Sequence, residues 1–427
     1  MRMLSQAVDI AVIGAGPAGL ASAIKAKEAG CDNVIVIDRA EAPGGLLDQC
    51  VHNGFGLLYF KEDLTGPEFA HRLIERAKDL KVNLQLETMA LNLTPDRKLT
   101  VCNRNGTTIL EARAIILAMG CRERTREAIM VPGSRPAGIF TAGTAQRYVN
   151  VEGFIPGKEI VILGSGDVGM IMARRLRLEG AEVKAVAEIL PYVGGLIRNE
   201  VQCLVDFNIP LFLGHTVVEV HGAKRVEAVT IAKVNSDMAP ISGTEKSIGC
   251  DTLLLSVGLI PENELSIMAG VEIDPLTRGP FVDDRRQTNV PGIFAAGNVV
   301  HVHDLVDNVV WDGELAGSFA AEYAMGEAAP SKNILRIKPG EGIRYVVPQT
   351  ISIEEVQEVA VLYARVIQPA KNVSIKVGNI FKKALRAVKP SEMLKIDLPI
   401  REINSFKERT KELLVSCEMR GEKYGQK

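Results

Sequence analysis

Two glycine clusters in this sequence are spaced to hold a pyrophosphate. The first, Gly14-Ala15-Gly16-Pro17-Ala18-Gly19, follows the apolar run from Val8 to Ile13 and opens the helical pattern Leu20, Ile24, Ala26. In such a strand, turn and helix, Gly14 makes the turn and Gly16 lets the backbone approach the phosphates. Gly19 then lets helix and strand pack closely, with the helix N-terminus facing the anion. A second apolar run, Asn33 to Ile37, ends at Asp38, 24 positions after Gly14. That is near the spacing at which a carboxylate accepts from a ribose hydroxyl. The arrangement recurs as Ile160 to Leu163, then Gly164-Ser165-Gly166-Asp167-Val168-Gly169, a helix through Leu178, a strand from Glu182 to Ala187, and Glu188, again 24 positions after the first glycine. Two such cradles imply two dinucleotides, and two dinucleotides imply hydride exchange between them. Glu188 should repel a 2′-phosphate and no arginine follows it closely, so NADH is favoured over NADPH.

Positioning two cradles takes a large α/β frame. With 427 residues, 47% of them hydrophobic, the chain is long enough for two or three domains with their own cores, and disorder is excluded. The balance of 50 Lys+Arg against 52 Asp+Glu, a net charge of −2, argues against a nucleic-acid partner. No apolar run reaches the roughly 18 residues of a membrane span. Met1 to Ala23 resembles a secretory signal in outline, but Asp9 and the glycine pattern account for it better. Seven scattered cysteines (Cys31, Cys50, Cys102, Cys121, Cys203, Cys250, Cys417) form no C-x-x-C pair, which fits a reducing cytosol and predicts a cytoplasmic protein. They and the six histidines nowhere approach metal-ligand spacing, so no metal site is expected. Three further strands run into glycine, at Ala114 to Gly120, Thr252 to Gly258 and Gly292 to Asn298. The third is the most specific, because Pro291 enters it and the polar Asn298 leaves it directly before another helix.

In this order, cradle, A-x-G, cradle, x-V-G and T-x-x-P-G-I-F-A-A-G, the chain from about residue 5 to 327 resembles the two-dinucleotide-binding-domain flavoproteins, which include the pyridine nucleotide-disulfide oxidoreductases. The resemblance implies an α/β fold of two Rossmann-like domains: a split FAD-binding domain at 1–130 and 280–330, with an NAD(H)-binding domain inserted at 131–279. It implies FAD and NAD(H) as cofactors. Gly14, Gly16 and Gly19 would meet the FAD pyrophosphate, Asp38 the adenosine ribose, and Gly297 and Asn298 the flavin-side phosphate and ribityl chain. Gly164, Gly166, Gly169 and Glu188 would serve NAD(H). The candidate cofactor contacts extend to Pro17, Ala18, Arg39, Gly45, Gly120, Asp167, Gly258 and Val306. The family usually has Glu where Asp38 stands and Asp where Asn298 stands, and the second change removes a charge beside the phosphate.

Disulfide reductases of this family carry a cysteine pair just after the first Gly-Gly or in front of the NAD(H) helix. Here Gly44-Gly45 is followed by Leu46-Leu47-Asp48-Gln49-Cys50-Val51-His52-Asn53-Gly54-Phe55-Gly56 with one cysteine, and Thr141 to Asn150 has none. A dithiol relay is therefore not expected. Cys50 and His52 fall on one face of an extended segment, where a histidine could lower the thiol pKa and make Cys50 a catalytic thiol; the alternative is a small packed cysteine beside a structural histidine near the flavin. In His301-Val302-His303-Asp304-Leu305-Val306-Asp307, Asp304 is the expected N-cap of a helix reaching about Met325, with Asp307 three positions on. That helix N-terminus, aimed at the isoalloxazine N1/C2 carbonyl, would favour negative charge on the reduced ring. His301 and His303, the latter a candidate catalytic residue with Cys50 and His52, would contact flavin or acceptor, or face solvent.

The motifs G-G-L-L-D-Q-C-V-H-N-G-F-G (44–56), F-K-E-D-L-T-G-P-E-F-A (60–70) and G-N-V-V-H-V-H-D-L-V-D (297–307) are similar to those of an NAD/FAD-binding subunit that accompanies glycerol-3-phosphate dehydrogenase-like flavoproteins, and more distantly to subunits of opine oxidase and hydrogen cyanide synthase. This implies electron exchange with a partner dehydrogenase or electron-transfer subunit in a homo- or hetero-oligomer, and a small-molecule redox substrate. The alternatives are an NADH oxidase or peroxidase using Cys50, and a non-catalytic electron-bridging subunit.

After Ala328-Ala329-Pro330-Ser331 the pattern changes. Runs at 344–347, 359–366, 373–377 and 394–398 predict short strands, and residues 331–427 a small β-sandwich-like domain for docking another subunit. It does not resemble the dimerisation domain of the disulfide reductases and lacks that domain's histidine-bearing end. The basic run Lys382-Lys383-Ala384-Leu385-Arg386 reads as a solvated strand edge.

Overall fold

In a computed structural model, residues 4–327, 334–352, 359–405 and 412–419 are described. The expected linker at Ala328 to Ser331 and the first three residues of the signal-like start lie outside them. The described residues form two compact units, one of residues 1–121 and 261–427, the other of residues 122–260.

The first unit is built on a seven-stranded sheet. Its central strand, Leu4–Ile13, pairs in parallel with Val34–Ile37 on one side and with the long strand Gly106–Leu117 on the other. Ile293–Ala295 adds in parallel to the last three residues of that long strand, and its first half carries an antiparallel hairpin. Val34 to Ile37 are buried on both faces, which is why the segment reads as an unbroken apolar run rather than an alternating one. One face is covered by helices Pro17–Glu28, Gly66–Asp79 and Val306–Met325, the other by residues that include Leu265, Ala269, Val271, Tyr345 and Val347. The last group explains the unit's boundary: 261–279 and the start of the C-terminal region bury their side chains against this sheet. Hence the compact inserted unit is 122–260, shorter than the expected 131–279 at its C-terminal end.

That second unit has an all-parallel five-stranded sheet in the order Ile139–Thr141, Thr252–Leu255, Glu159–Leu163, Glu182–Glu188, Leu211–Leu213, with an antiparallel three-stranded sheet beside it. The C-terminal region folds as a five-stranded and a three-stranded sheet around one core that includes Leu335, Leu362, Ile375, Leu398 and Val415. Its basic run lies on Phe381–Val388, the edge strand of the five-stranded sheet, with Lys382, Lys383 and Ala384 exposed. No helix among the described residues is long and apolar enough to cross a membrane.

Candidate functional site

The three glycines of the first cradle meet three different surroundings. Gly14 sits at φ +110, and a Cβ there would lie 2.3 Å from the Ala118 carbonyl oxygen. At Gly19 it would lie 1.8 Å from Gly14 O, so helix Pro17–Glu28 touches the turn backbone to backbone. Gly16, the extended N-cap of that helix, faces open space, with no atom within 4 Å of a Cβ position, and no side chain caps the helix. The open side of a turn above an uncapped helix start is where a phosphate fits. Gly44 N donates to Ala15 O (2.9 Å), and a Cβ on Gly45 would come to 3.0 Å from Gly16 Cα, so the Gly-Gly pair lies along the turn. Asp38 is half-buried, its carboxylate accepting from Ala15 N (2.7 Å) and Ala40 N (2.9 Å), while Arg39 is exposed. Gly120, at φ +71, also opens on free space.

Helix Val306–Met325 connects the remaining pieces. Gly313 and Gly317 let it lie against helix Pro17–Glu28, where a Cβ would meet Ala18 O at 2.3 Å and Ser22 O at 2.2 Å, and Ser22 Oγ donates to Gly313 O. Asp307 accepts from Leu58 N and Tyr59 N, holding the loop that follows Cys50. Asp312, fully buried, accepts from Gly297 N (2.7 Å) and pairs with the buried Arg286 guanidinium. Burial alone would raise the Asp312 carboxyl, but Arg286 and then His303 outweigh it and hold the group below its usual range. Neither Asp312 nor Arg286 is among the residues expected from the sequence. The available signal was a lone acid on the apolar face of the helix, in line with Ala316 and Ala320. Asn298 Oδ1 accepts from His303 N (3.0 Å). Open space at Gly16 and Gly120, with an amide side chain at the exit of strand Ile293–Ala295, fits an FAD molecule laid along the sheet's C-terminal edge.

The second cradle repeats the first at an offset of 150 residues: Gly164, Gly166, Gly169 and Glu188 stand to one another as Gly14, Gly16, Gly19 and Asp38 do. The same offset takes Gly44-Gly45 to Gly194-Gly195, a pair absent from the expected site residues although the repeat carries it. Gly194 N donates to Ser165 Oγ (2.8 Å), and Asp167 Oδ1 accepts from Leu196 N and Asn199 Nδ2, so the second Gly-Gly also lies on its turn. Gly164 backs onto Ser256, where a Cβ would come to 2.1 Å from its carbonyl oxygen. Glu188 is buried, accepting from Ser165 N and Oγ through one oxygen and Leu190 N through the other. Gly258 adopts φ +103.

Three expectations change. Gly45–Gln49 is a 3-10 helix with Cys50 as its C-cap, and Cys50 and His52, expected to act together, go to different partners: the thiol to Leu46 O (3.2 Å), the imidazole Nδ1 to Asn53 O (2.9 Å) with its ring on Phe55. Burial, then the Asp48 charge, pushes the Cys50 thiol up to about 12, the opposite of activation. No cysteine among the described residues is in a disulfide. His303, expected to face flavin, acceptor or solvent, is buried with His301 (ring centroids 4.2 Å apart) against Tyr363, and its Nε2 lies 3.8 Å from Asp312. Burial and then His303 hold the His301 pKa well below the usual range. Asp304 is not the N-cap, a position taken by Leu305, because Arg365 and Met393 N occupy its carboxylate. Val306 is the first helical residue. Among the described residues no His/Cys/Asp/Glu group could hold a metal.

Residues 8–313 match the pyridine nucleotide-disulphide oxidoreductase family, and the chain belongs to it. Proteins of this family bind FAD and NAD(P)H, and relatives such as thioredoxin reductase are FAD-dependent oxidoreductases of NAD(P)H. An opine oxidase subunit of Agrobacterium tumefaciens (strain Ach5) is 28% identical over 69% of this chain and 62% of its own length, so the chain spans under two thirds of that relative. Hydrogen cyanide synthase subunit HcnB of Pseudomonas protegens is 25% identical over 74% of the chain and 67% of its own length. Among solved structures, thioredoxin reductase of T. acidophilum superposes with TM-score 0.61 at 25% identity, covering 75% of this chain and 99% of that one.

Proposed function

We propose that the first cradle, with Gly297 and Asn298, holds FAD, that the second holds NADH, and that the chain exchanges electrons with a partner subunit of a glycerol-3-phosphate dehydrogenase-type complex. FAD, when bound, supplies the two-electron carrier that takes up or returns the hydride of NAD(H). The chain's own residues bind and orient. Gly14, Gly16 and Gly45 offer backbone to the pyrophosphate, and Asp38, half-buried, offers a carboxylate to the ribose. The start of helix Val306–Met325 brings its positive end to the site, with Asp307 committed to Leu58 N and Tyr59 N. In the second cradle Glu188 favours NADH by placing negative charge where a 2′-phosphate would lie.

The observation that carries this reading is the pairing of two complete cradles with a single cysteine whose thiol is pushed up to about 12. The lack of a second cysteine beside Cys50 speaks against a dithiol relay, and the upward push on its thiol disfavours a sulfenic-acid cycle, which supports a route for electrons through a partner. The motifs at 44–56, 60–70 and 297–307 support a partner flavoprotein dehydrogenase, and an assembly is supported because the opine oxidase and hydrogen cyanide synthase relatives are themselves named as subunits.

The purified chain should be yellow, and anaerobic NADH should bleach its flavin band. A folded chain that takes up no FAD ends the assignment. Co-purified with its native partners, it should reduce NAD⁺ or an electron acceptor when glycerol-3-phosphate is added. A complex that stays inert to glycerol-3-phosphate while NADH still bleaches the flavin keeps the cofactor reading and discards the substrate.

A further inference from the structure

Arg365, on strand Val359–Val366 of the C-terminal region, spends its guanidinium on four acceptors. Nε donates to the Tyr345 hydroxyl (2.9 Å), Nη1 to Pro390 O (2.9 Å), and Nη2 to Val302 O (3.0 Å) and to the Asp304 carboxylate. The other Asp304 oxygen accepts from Met393 N. The chain is thereby fastened on both sides of His303, whose N–H donates to Asn298 Oδ1 (3.0 Å). A backbone N–H is only a donor, so this bond settles which end of the Asn298 carboxamide is which. Oδ1 faces His303 and accepts its N–H through one of two lone pairs, so the end of the carboxamide turned away from segment 301–304 is Nδ2 with its two donors. The buried rings of His301 and His303 against Tyr363 and Tyr345 leave segment 301–304 little room to move once Arg365 is in place. Arg365 itself is mostly shielded, its side chain 12% exposed, so its pairing with Asp304 is held more firmly than a surface ion pair.

We propose that Arg365 is a positioning residue of the FAD site: by fastening 302–304 it presents the Asn298 carboxamide to the cofactor as a hydrogen-bond donor. The C-terminal sheets are then part of the flavin site rather than only a docking surface. The inference rests on the assignment of FAD to the first cradle.

The test uses the deflavinated full chain, titrated with FAD by flavin fluorescence, in the wild type, Arg365→Ala, Arg365→Lys and Asp304→Asn. NADH binding to the same preparations is followed by nicotinamide fluorescence. In Arg365→Ala and Asp304→Asn the FAD Kd should rise about tenfold or more, the effect of losing about 1.4 kcal/mol of binding. Arg365→Lys should fall between, since it keeps the charge but not the fork, and NADH affinity should stay within about twofold of wild type in all three. An Arg365→Ala chain that binds NADH normally and FAD as tightly as wild type overturns the proposal. If Arg365→Ala has lost NADH binding too, it has not folded, and Arg365→Lys and Asp304→Asn decide by the same criterion. A wild-type chain that binds NADH but no FAD overturns the assignment of the first cradle, and this proposal with it.

Discussion

Gly16 and Gly19 stand three positions apart under opposite demands, and substitution separates them. A methyl at Gly16 points into open space, so Gly16→Ala should leave the melting temperature within about 1 °C while weakening FAD by about tenfold, as a cofactor titration beside a thermal melt would read. A methyl at Gly19 lies 1.8 Å from Gly14 O, so Gly19→Ala should cost about 1–3 kcal/mol or more of stability by overpacking and lower the midpoint of a denaturant titration. Glu188 is a bond acceptor as well as a charge: a glutamine has one acceptor oxygen for the amides of Ser165 and Leu190. Glu188→Gln should therefore raise the KM for NADH about tenfold with flavin content unchanged, and narrow the preference over NADPH. The pattern behind these expectations was legible in the sequence, since strand, glycines and terminal acid are local to residues 8–38 and 160–188. The chemistry of Cys50 was not, because the thiol, at the end of a 3-10 turn, bonds to Leu46 O while His52 bonds to Asn53 O.

At the scale of elements, helix Val306–Met325 does the connecting. Its small residues set it against helix Pro17–Glu28, its Asp312 reaches the Gly297 turn, and its Asp307 anchors the loop at Leu58 and Tyr59. Gly313→Ala and Gly317→Ala put a methyl 2.3 and 2.2 Å from backbone oxygens of the facing helix. Each should cost about 1–3 kcal/mol and reduce bound flavin in the purified protein, measured by denaturant unfolding and the absorbance ratio. Asp312→Ala leaves Arg286 buried without its counter-charge and should cost about 3–5 kcal/mol. The helix itself was evident from its apolar periodicity. Its start was not, since the residue best suited to cap it, Asp304, is claimed by Arg365, 61 positions away.

The whole molecule carries a pH dependence at the join between the Rossmann-like sheet and the C-terminal strands. Burial, then the neighbouring Asp284 charge, pushes the Asp283 carboxyl up to about 7. The folded chain therefore keeps a proton that the unfolded chain has released, and stability falls as pH rises from about 4 to about 7. Asp283→Asn keeps an oxygen for the amides of Arg285 and Gln287 and removes the ionisation. It should melt a few degrees above wild type at pH 8 and show a smaller gain at pH 5; an equal difference at both pH values would contradict the argument. The sequence by itself determined the two cradles, their order, and the strand runs at 359–366 and 394–398, because each is a local pattern of turn chemistry and side-chain periodicity. Only the tertiary structure decided that residues 261–279 return to the first sheet, that Asp312 meets Arg286 and Gly297, and that a C-terminal arginine fastens the segment following Asn298. Contacts of that kind join residues tens to hundreds of positions apart. No spacing in the chain records them, since what brings them together is the burial of apolar faces that many pairings would satisfy equally well.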